Sequence, residues 1–193
     1  MRKRSFFNQN INSILKDSNI DIRTIANDGI LQLVDISLSG KLAVFPSRSN
    51  NREIGYRNYR TRSKPFIRKS KSQLERLEAA KIAYVNHFFS QSLLLPRFNN
   101  ALVIVSVFLC SGRGIRDSHN YSKPIGDWLE DIGLIDNDKD AEIHCYKQSD
   151  YPRLFNKITQ SSTYISICKR DVIHSEMEQR LLREIDIKRA LFE

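Results

Sequence analysis

Ala101-Leu-Val-Ile-Val-Ser-Val-Phe-Leu-Cys110 is the longest apolar run in a chain of 193 residues, interrupted only by Ser106. It falls well short of the roughly 18 apolar residues a membrane helix needs. Its β-branched content favours a strand buried in the centre of a sheet. Ser111-Gly-Arg-Gly114 breaks it. Beyond that break, Asn120 to Ile132 sets Ile125, Trp128, Leu129 and Ile132 at helical spacing, with Gly133 as a C-terminal stop.

Downstream, Glu142 to Lys147 and Thr163 to Lys169 read as two further strands, expected to be antiparallel. Ser175-Glu-Met-Glu178 is a capping-box pattern. It opens an amphipathic C-terminal helix from about residue 175 that buries Leu181, Leu182, Ile185 and Leu191. Upstream, Lys41 to Phe45 reads as a short strand stopped by Pro46, and Ser47 to Lys69 as a long polar loop. Ser72-Gln-Leu-Glu75 repeats the capping-box pattern. It starts a helix carrying Leu74, Leu77, Lys81, Tyr84 and Phe88 on one stripe and ending before Pro96. Residues 1–40 hold a hint of helix at Ile11, Ile14 and Leu15 and a loose alternation from Leu31 to Leu38, and read as an N-terminal extension. The expected fold is a two-layer α+β domain over 41–193, a mixed β-sheet with two core helices and the C-terminal helix.

The start of the chain is basic but lacks the apolar stretch of a secretory signal, and Cys110, Cys145 and Cys168 are odd in number and widely spaced. Both features lead us to expect a cytoplasmic protein with reduced thiols, no disulfide framework and no membrane partner. The four histidines and three cysteines show no zinc-finger spacing. The net charge of +9 is concentrated in residues 41–71. There Lys41, Arg48, Arg52, Arg57, Arg60, Arg62, Lys64, Arg68, Lys69 and Lys71 face a single acid, Glu53, so this segment holds the whole excess. Such a block either is a solvated basic loop or binds a polyanion by counterion release. The interleaved Tyr56, Tyr59 and Phe66 tilt the reading towards nucleic acid, since aromatic faces stack on bases. The DNA-contacting candidates are Arg52, Arg57, Arg60, Arg62, Lys64, Arg68 and Lys69.

Chemistry is concentrated between Arg113 and Glu142. Asp117 and the cluster Asp136-Asn137-Asp138-Lys139-Asp140 lie at opposite ends of a helix of about a dozen residues, roughly 18 Å long. They converge only if the chain folds back. Paired carboxylates at a strand end suit Mg²⁺, which takes a few oxygen ligands with water and phosphate. A metal so held activates water for phosphodiester cleavage. Each piece also has a plain structural reading. Asp117 can serve the helix dipole, Lys123 and Asp127 can be a surface i, i+4 pair, and Asp136 to Asp140 can be a polar turn.

Arg116-Asp117-x-x-Asn120-x-x-Lys123, then Asp127-x-Leu129, Gly133 and Asp138, resembles the signature of the RusA family of Holliday-junction resolvases. Pro46-Ser47 followed by Asn50-Asn51-Arg52 is similar to that family's segment after its first strand. The resemblance covers about residues 41 to 170. It implies a homodimeric Mg²⁺-dependent endodeoxyribonuclease (crossover junction resolvase type) that resolves four-way DNA junctions by paired nicks. It makes Asp117 and Asp138 catalytic acids and Lys123 their supporting cation. Arg116 and Asn120, within the matched motif, join the DNA-binding set.

Two departures stand out. His119 occupies the family's second acidic position, and Asn137 replaces the first member of its closing acid pair. The candidate metal ligands are therefore Asp117, His119, Asp136 and Asp138, with Mg²⁺ as cofactor and Mn²⁺ as the ion that accepts imidazole more readily. The rival readings are a non-catalytic branched-DNA-binding protein and a fork or flap endonuclease of the same fold. For a homodimer, the apolar helix faces around Leu77 and Leu181 are the candidate seams.

Overall fold

A computed structural model of the chain describes residues 10–27, 30–43, 52–59, 62–69, 71–91, 93–108, 119–147, 150, 160–171 and 174–190. At 27, 30–31, 52–59, 62–69, 73, 119 and 184–190 it describes the backbone alone. In chain order the elements are α1 (residues 10–16), β1 (Ser18–Asn27), β2 (Ile30–Gly40), a 3-10 turn (Lys41–Ala43), β3 (Arg52–Tyr59) and β4 (Arg62–Lys69). They continue with α2 (Lys71–Ser90), β5 (Ala101–Phe108), α3 (His119–Asp131), β6 (Glu142–Lys147), β7 (Ser162–Lys169) and α4 (His174–Ala190).

The architecture is mixed α+β. One sheet has the strand order β1-β2-β7-β5-β6, and β3 with β4 forms a separate hairpin. As its composition predicts, β5 is buried at all eight residues. It pairs antiparallel with β7 and parallel with β6. The two downstream strands therefore do not pair with each other. β5 lies between them, because a strand, a helix and a returning parallel strand form a crossover unit, and α3 supplies that helix.

Residues 1–40 were expected as an appendage, but their described part belongs to the body of the sheet. β2 pairs with β7 from Leu33↔Cys168 to Ser39↔Ser162, and β1 pairs with β2 along its length. Val34, Ile36 and Leu38 alternate into the main core, which is the period of a half-buried strand. The expected strand from Lys41 to Phe45 is instead a 3-10 turn over Lys41–Ala43. Gly40 is the cause: its φ of +68° and a Cβ position only 2.2 Å from the Asp17 carbonyl oxygen end the strand where only glycine fits. The expected polar loop from Ser47 to Lys69 contains the β3–β4 hairpin, in register from Arg52↔Lys69 to Tyr59↔Arg62. Ile54, Tyr56, Phe66 and Ile67 are strand formers set among the cations.

α2 and α3 cover one face of the sheet. Tyr84, Phe88, Ile125, Trp128 and Leu129 pack there on Val103, Val105, Ile165 and Ile167. On the opposite face α4 brings Met177 and Leu181 against Leu102, Ile104 and Cys168. The expected two layers thus become three over part of the sheet. Leu182 is half-buried at that seam; the side chain of Ile185, and Leu191, lie outside the described residues. Leu181, expected at a dimer seam, is only 3 % exposed and belongs to the chain's own core. Leu74 lies off its expected stripe and is exposed, whereas Tyr84 and Phe88 are buried. The Glu75 carboxylate accepts from Asn10 Nδ2 at 3.1 Å and pairs with Lys71 at 3.4 Å, so it ties α1 to the first turn of α2.

Cys145 and Cys168 are free thiols. Burial pushes both up to about 12, which keeps them protonated and unreactive at neutral pH. Cys110 lies outside the described residues. No helix among the described residues is long and apolar enough to cross a membrane.

Candidate functional site

The outer side of α3 carries the charged residues singled out by the sequence. Its inner face buries Tyr121, Ile125, Trp128 and Leu129, which leaves Lys123 exposed and Asp127 half-buried along one edge. At its end the helix closes in a Schellman motif. Leu134 N–H donates to the Leu129 carbonyl at 3.0 Å and Gly133 N–H to the Glu130 carbonyl at 3.0 Å, with Gly133 at φ +76°. Leu134 and Ile135 then anchor the chain in the core, and Phe98 N–H donates to the Leu134 carbonyl at 2.8 Å. From there the chain turns back along α3 towards β6.

That return brings Asp138 to Lys123. The Lys123 ammonium pairs with both Asp138 Oδ2 and Asp127 Oδ1, the latter at 2.8 Å. Three features position Asp138, whose side chain is 12 % exposed. Its backbone N–H donates to Glu130 Oε2 at 3.3 Å. Asn137 Oδ1 accepts the Lys139 N–H at 3.0 Å, the Asx geometry of a tight turn. Gly126 lies directly beneath, where a Cβ would stand 3.1 Å from Asp138 Cβ and 3.0 Å from Ile143 Cδ1. The side chain at 126 is absent because the returning chain occupies its place.

Lys123 is pushed up to about 12 by its bond to Asp127 and then by that to Asp138. It is a permanent cation at neutral pH and cannot act as a general base there.

The predicted residues fall in several places. Lys123 and Asp138 are together. Asp136 is directed elsewhere, into an ion pair with Arg97 ahead of β5. Asn120 is half-buried in the first turn of α3. The backbone of His119 begins the helix, seven residues or roughly 10 Å from Gly126. The His119 side chain, Asp117, Arg116 and Arg60 lie outside the described residues. Arg52, Arg57, Arg62, Lys64, Arg68 and Lys69 all lie on the hairpin. Among the described residues no group of three metal-ligating side chains is assembled.

Sequence reasoning anticipated the Lys123–Asp127 pair at i, i+4 but missed the roles of Glu130 and Gly126. A glycine inside a helix costs about 1 kcal/mol relative to alanine, and that cost was the available signal of a close approach. It also missed a polar cluster on the far face of the sheet. There Glu142 accepts from His144 at 2.7 Å and from Arg170 at 3.0 Å, and these two bonds, His144 first, hold its carboxyl below the usual range. The His144 and His174 rings stand 4.4 Å apart edge to face, and Tyr146 shares a hydrogen bond of 2.9 Å with His174. Glu142, His144 and Tyr146 alternate on β6, so period two was the signal there.

No family model matches the chain, and no curated protein does.

Proposed function

We propose that the chain is a Mg²⁺-dependent endodeoxyribonuclease of RusA type acting on branched DNA, with Asp117 and Asp138 as its acids. The supporting observation is the return of Asp138 to Lys123 beside Gly126, across fifteen positions of sequence. It brings Asp138 from the far end of α3 back to the helix's middle, the fold-back that a shared site requires. Asp138 and Asp127 offer hard carboxylate oxygens, the donor type that Mg²⁺ prefers over nitrogen or sulfur. In this reading Asp138 and Asp117 hold the cation with His119, and Asp127 takes the supporting place that Asp136, committed to Arg97, does not fill. A bound divalent cation there lowers the pKa of water and polarises a phosphoryl oxygen.

The chain's own residues do the rest. Lys123 keeps its proton and offsets the charge of the carboxylates and the incoming phosphate. Glu130, Asn137 and Gly126 hold the Asp138 turn in place. Paired nicks across a four-way junction need two such sites related by a two-fold axis, hence a homodimer. Its seam is better supplied by the exposed Phe89, Leu93, Leu94 and Leu95 than by Leu77 or Leu181; Phe89 and Leu94 are 84 % and 93 % exposed.

The binding-only reading draws on one observation: Lys123 already neutralises Asp127 and Asp138 as an internal ion pair. Labelled four-way, forked and linear DNA, incubated with and without Mg²⁺, separates the readings. Asp117→Asn and Asp138→Asn should each lower the cleavage rate by about 100-fold or more, on the order expected for a catalytic group, while junction binding persists. Wild-type cleavage rates in both variants would rule out the assigned site. Binding without cleavage by the wild type in every metal would favour the binding-only reading.

A further inference from the structure

The register of the hairpin divides the basic segment into two unlike faces. Cross-strand partners share a face and successive residues alternate between faces. Glu53↔Arg68, Gly55↔Phe66, Arg57↔Lys64 and Tyr59↔Arg62 therefore occupy one face. Arg52↔Lys69, Ile54↔Ile67, Tyr56↔Pro65 and Asn58↔Ser63 occupy the other. The first face carries four cations, two aromatics and one acid. The second is apolar in its middle and has cations only on the rung at its open end.

We propose that β3–β4 is a DNA-contacting ribbon whose Arg57, Tyr59, Arg62, Lys64, Phe66 and Arg68 face meets a duplex arm, while the face of Arg52 and Lys69 does not. This rests on the nucleic-acid reading above and splits its binding set in two. Three arguments favour DNA as the occupant. Arg57 and Lys64 stand directly opposite each other, and like charges on one rung destabilise a hairpin unless a polyanion neutralises them. Same-face rungs recur every ~6.6 Å, twice the ~3.4 Å axial spacing of phosphates along one DNA strand. The major groove, about 12 Å wide, admits a two-stranded ribbon.

The test compares two charge-matched double variants of the full chain, Arg57→Gln/Lys64→Gln and Arg52→Gln/Lys69→Gln. Binding to a labelled four-way junction and to a linear duplex is followed by fluorescence anisotropy in EDTA across a salt series. The first pair should flatten the log–log salt slope by about 1.8, or ~0.9 for each phosphate no longer neutralised. The second pair should leave it unchanged. The charge-keeping Arg57→Lys/Lys64→Arg should retain the wild-type slope, which separates lost charge from a lost fold. Equal flattening by both charge-removing pairs, or by neither, overturns the proposal, as does wild-type binding to phosphatidylserine vesicles but not to DNA. Cleavage is assayed separately on the same proteins. A face-selective slope without cleavage keeps the ribbon and removes the nuclease reading; cleavage with face-blind slopes does the reverse.

Discussion

The two faces of the five-stranded sheet are built on different terms. Towards α2 and α3 the strands present a mainly apolar surface from Val34, Ile36 and Leu38 through Ile165 and Ile167 to Val103, Val105 and Val107, with the buried Thr163 hydroxyl among them satisfied by the Ala43 carbonyl at 2.6 Å. Towards α4 the same strands present mixed rows. Asp35 accepts from the Ser166 hydroxyl beside Ile104 and His144, and Ser37, Tyr164, Ser106 and Tyr146 line up on the next rung. Met177 and Leu181 seat on this face among Leu33, Leu102, Ile104, Phe108 and Cys168. One face is held by area removed from water, at roughly 25 cal/mol per Å². The other is held by polar pairs that each contribute about 1 kcal/mol net and cost more if broken singly. The candidate site sits over the dry face, where the helix beneath it cannot shift cheaply.

The widest gap should appear on truncating one anchor from each face. Trp128, buried and edge-on to Tyr84 at 6.1 Å, should cost about 3–5 kcal/mol as Trp128→Ala. Leu181→Ala, on the smaller seam, should fall at the low end of the ~2–5 kcal/mol range for such a change. Urea denaturation measures both, and equal losses would break the comparison.

Two glycines of the α3 region sharpen it further by separating stability from activity. Gly133→Ala meets open space but keeps φ +76°, so it should lose roughly 1–2 kcal/mol and leave cleavage untouched. Gly126→Ala gains helix propensity of about 1 kcal/mol, which offsets its tight contacts, yet it must push Asp138 by a few tenths of an ångström. Cleavage should then fall about tenfold at near-normal stability, since misplacement of about 1 Å can cost ~100-fold. Unchanged activity in Gly126→Ala would remove Asp138 from the site.

The smallest effect is alkaline. Lys123 is raised from 10.5 to about 12, so the stability its two bonds contribute is full below pH 10.5 and lost as pH rises through about 12. The stability gap between wild type and Lys123→Met should be constant near neutrality and close above pH 10.5. Tyr84 and Tyr121, raised by burial, titrate in both proteins and cancel in the difference. A gap that persists to pH 12 would mean Lys123 contributes through its aliphatic stem and not its charge.

How much of this was legible depends on how local each cause is. β5 and α3 could be read because their apolar periods are carried by adjacent residues, and both appear within two residues of expectation. β3 and β4 could not, since strands with cations at alternate positions have the composition of a loop. β1 was missed because Thr24 and Ile25 break the alternation of Ile20 and Ile22, and its place in the sheet depends on β2. At the candidate site, Lys123 and Asp138 were found through a motif. Asp127 was legible as an i, i+4 partner of Lys123, whereas Glu130 and Gly126 acquire their roles only from the returning chain, which no local pattern spans. The positions of Asp136 and Asp138, two residues apart yet paired with Arg97 and Lys123 respectively, show how far one turn can divide an acidic cluster.

The hydrogen bond from Ser166 to Asp35 spans 131 positions of sequence. At synthesis rates of about 5–20 residues per second, β2 emerges on the order of ten seconds before the strand that completes its inner side. During that interval the β1–β2 hairpin carries one unpaired ladder along Leu33 to Ser39, the kind of edge on which nascent chains join one another. The sheet is finished from its middle, and β7 is the last strand to enter it. Translation speed across the residues between β2 and β7 thus sets how long each new molecule spends with its sheet in two parts.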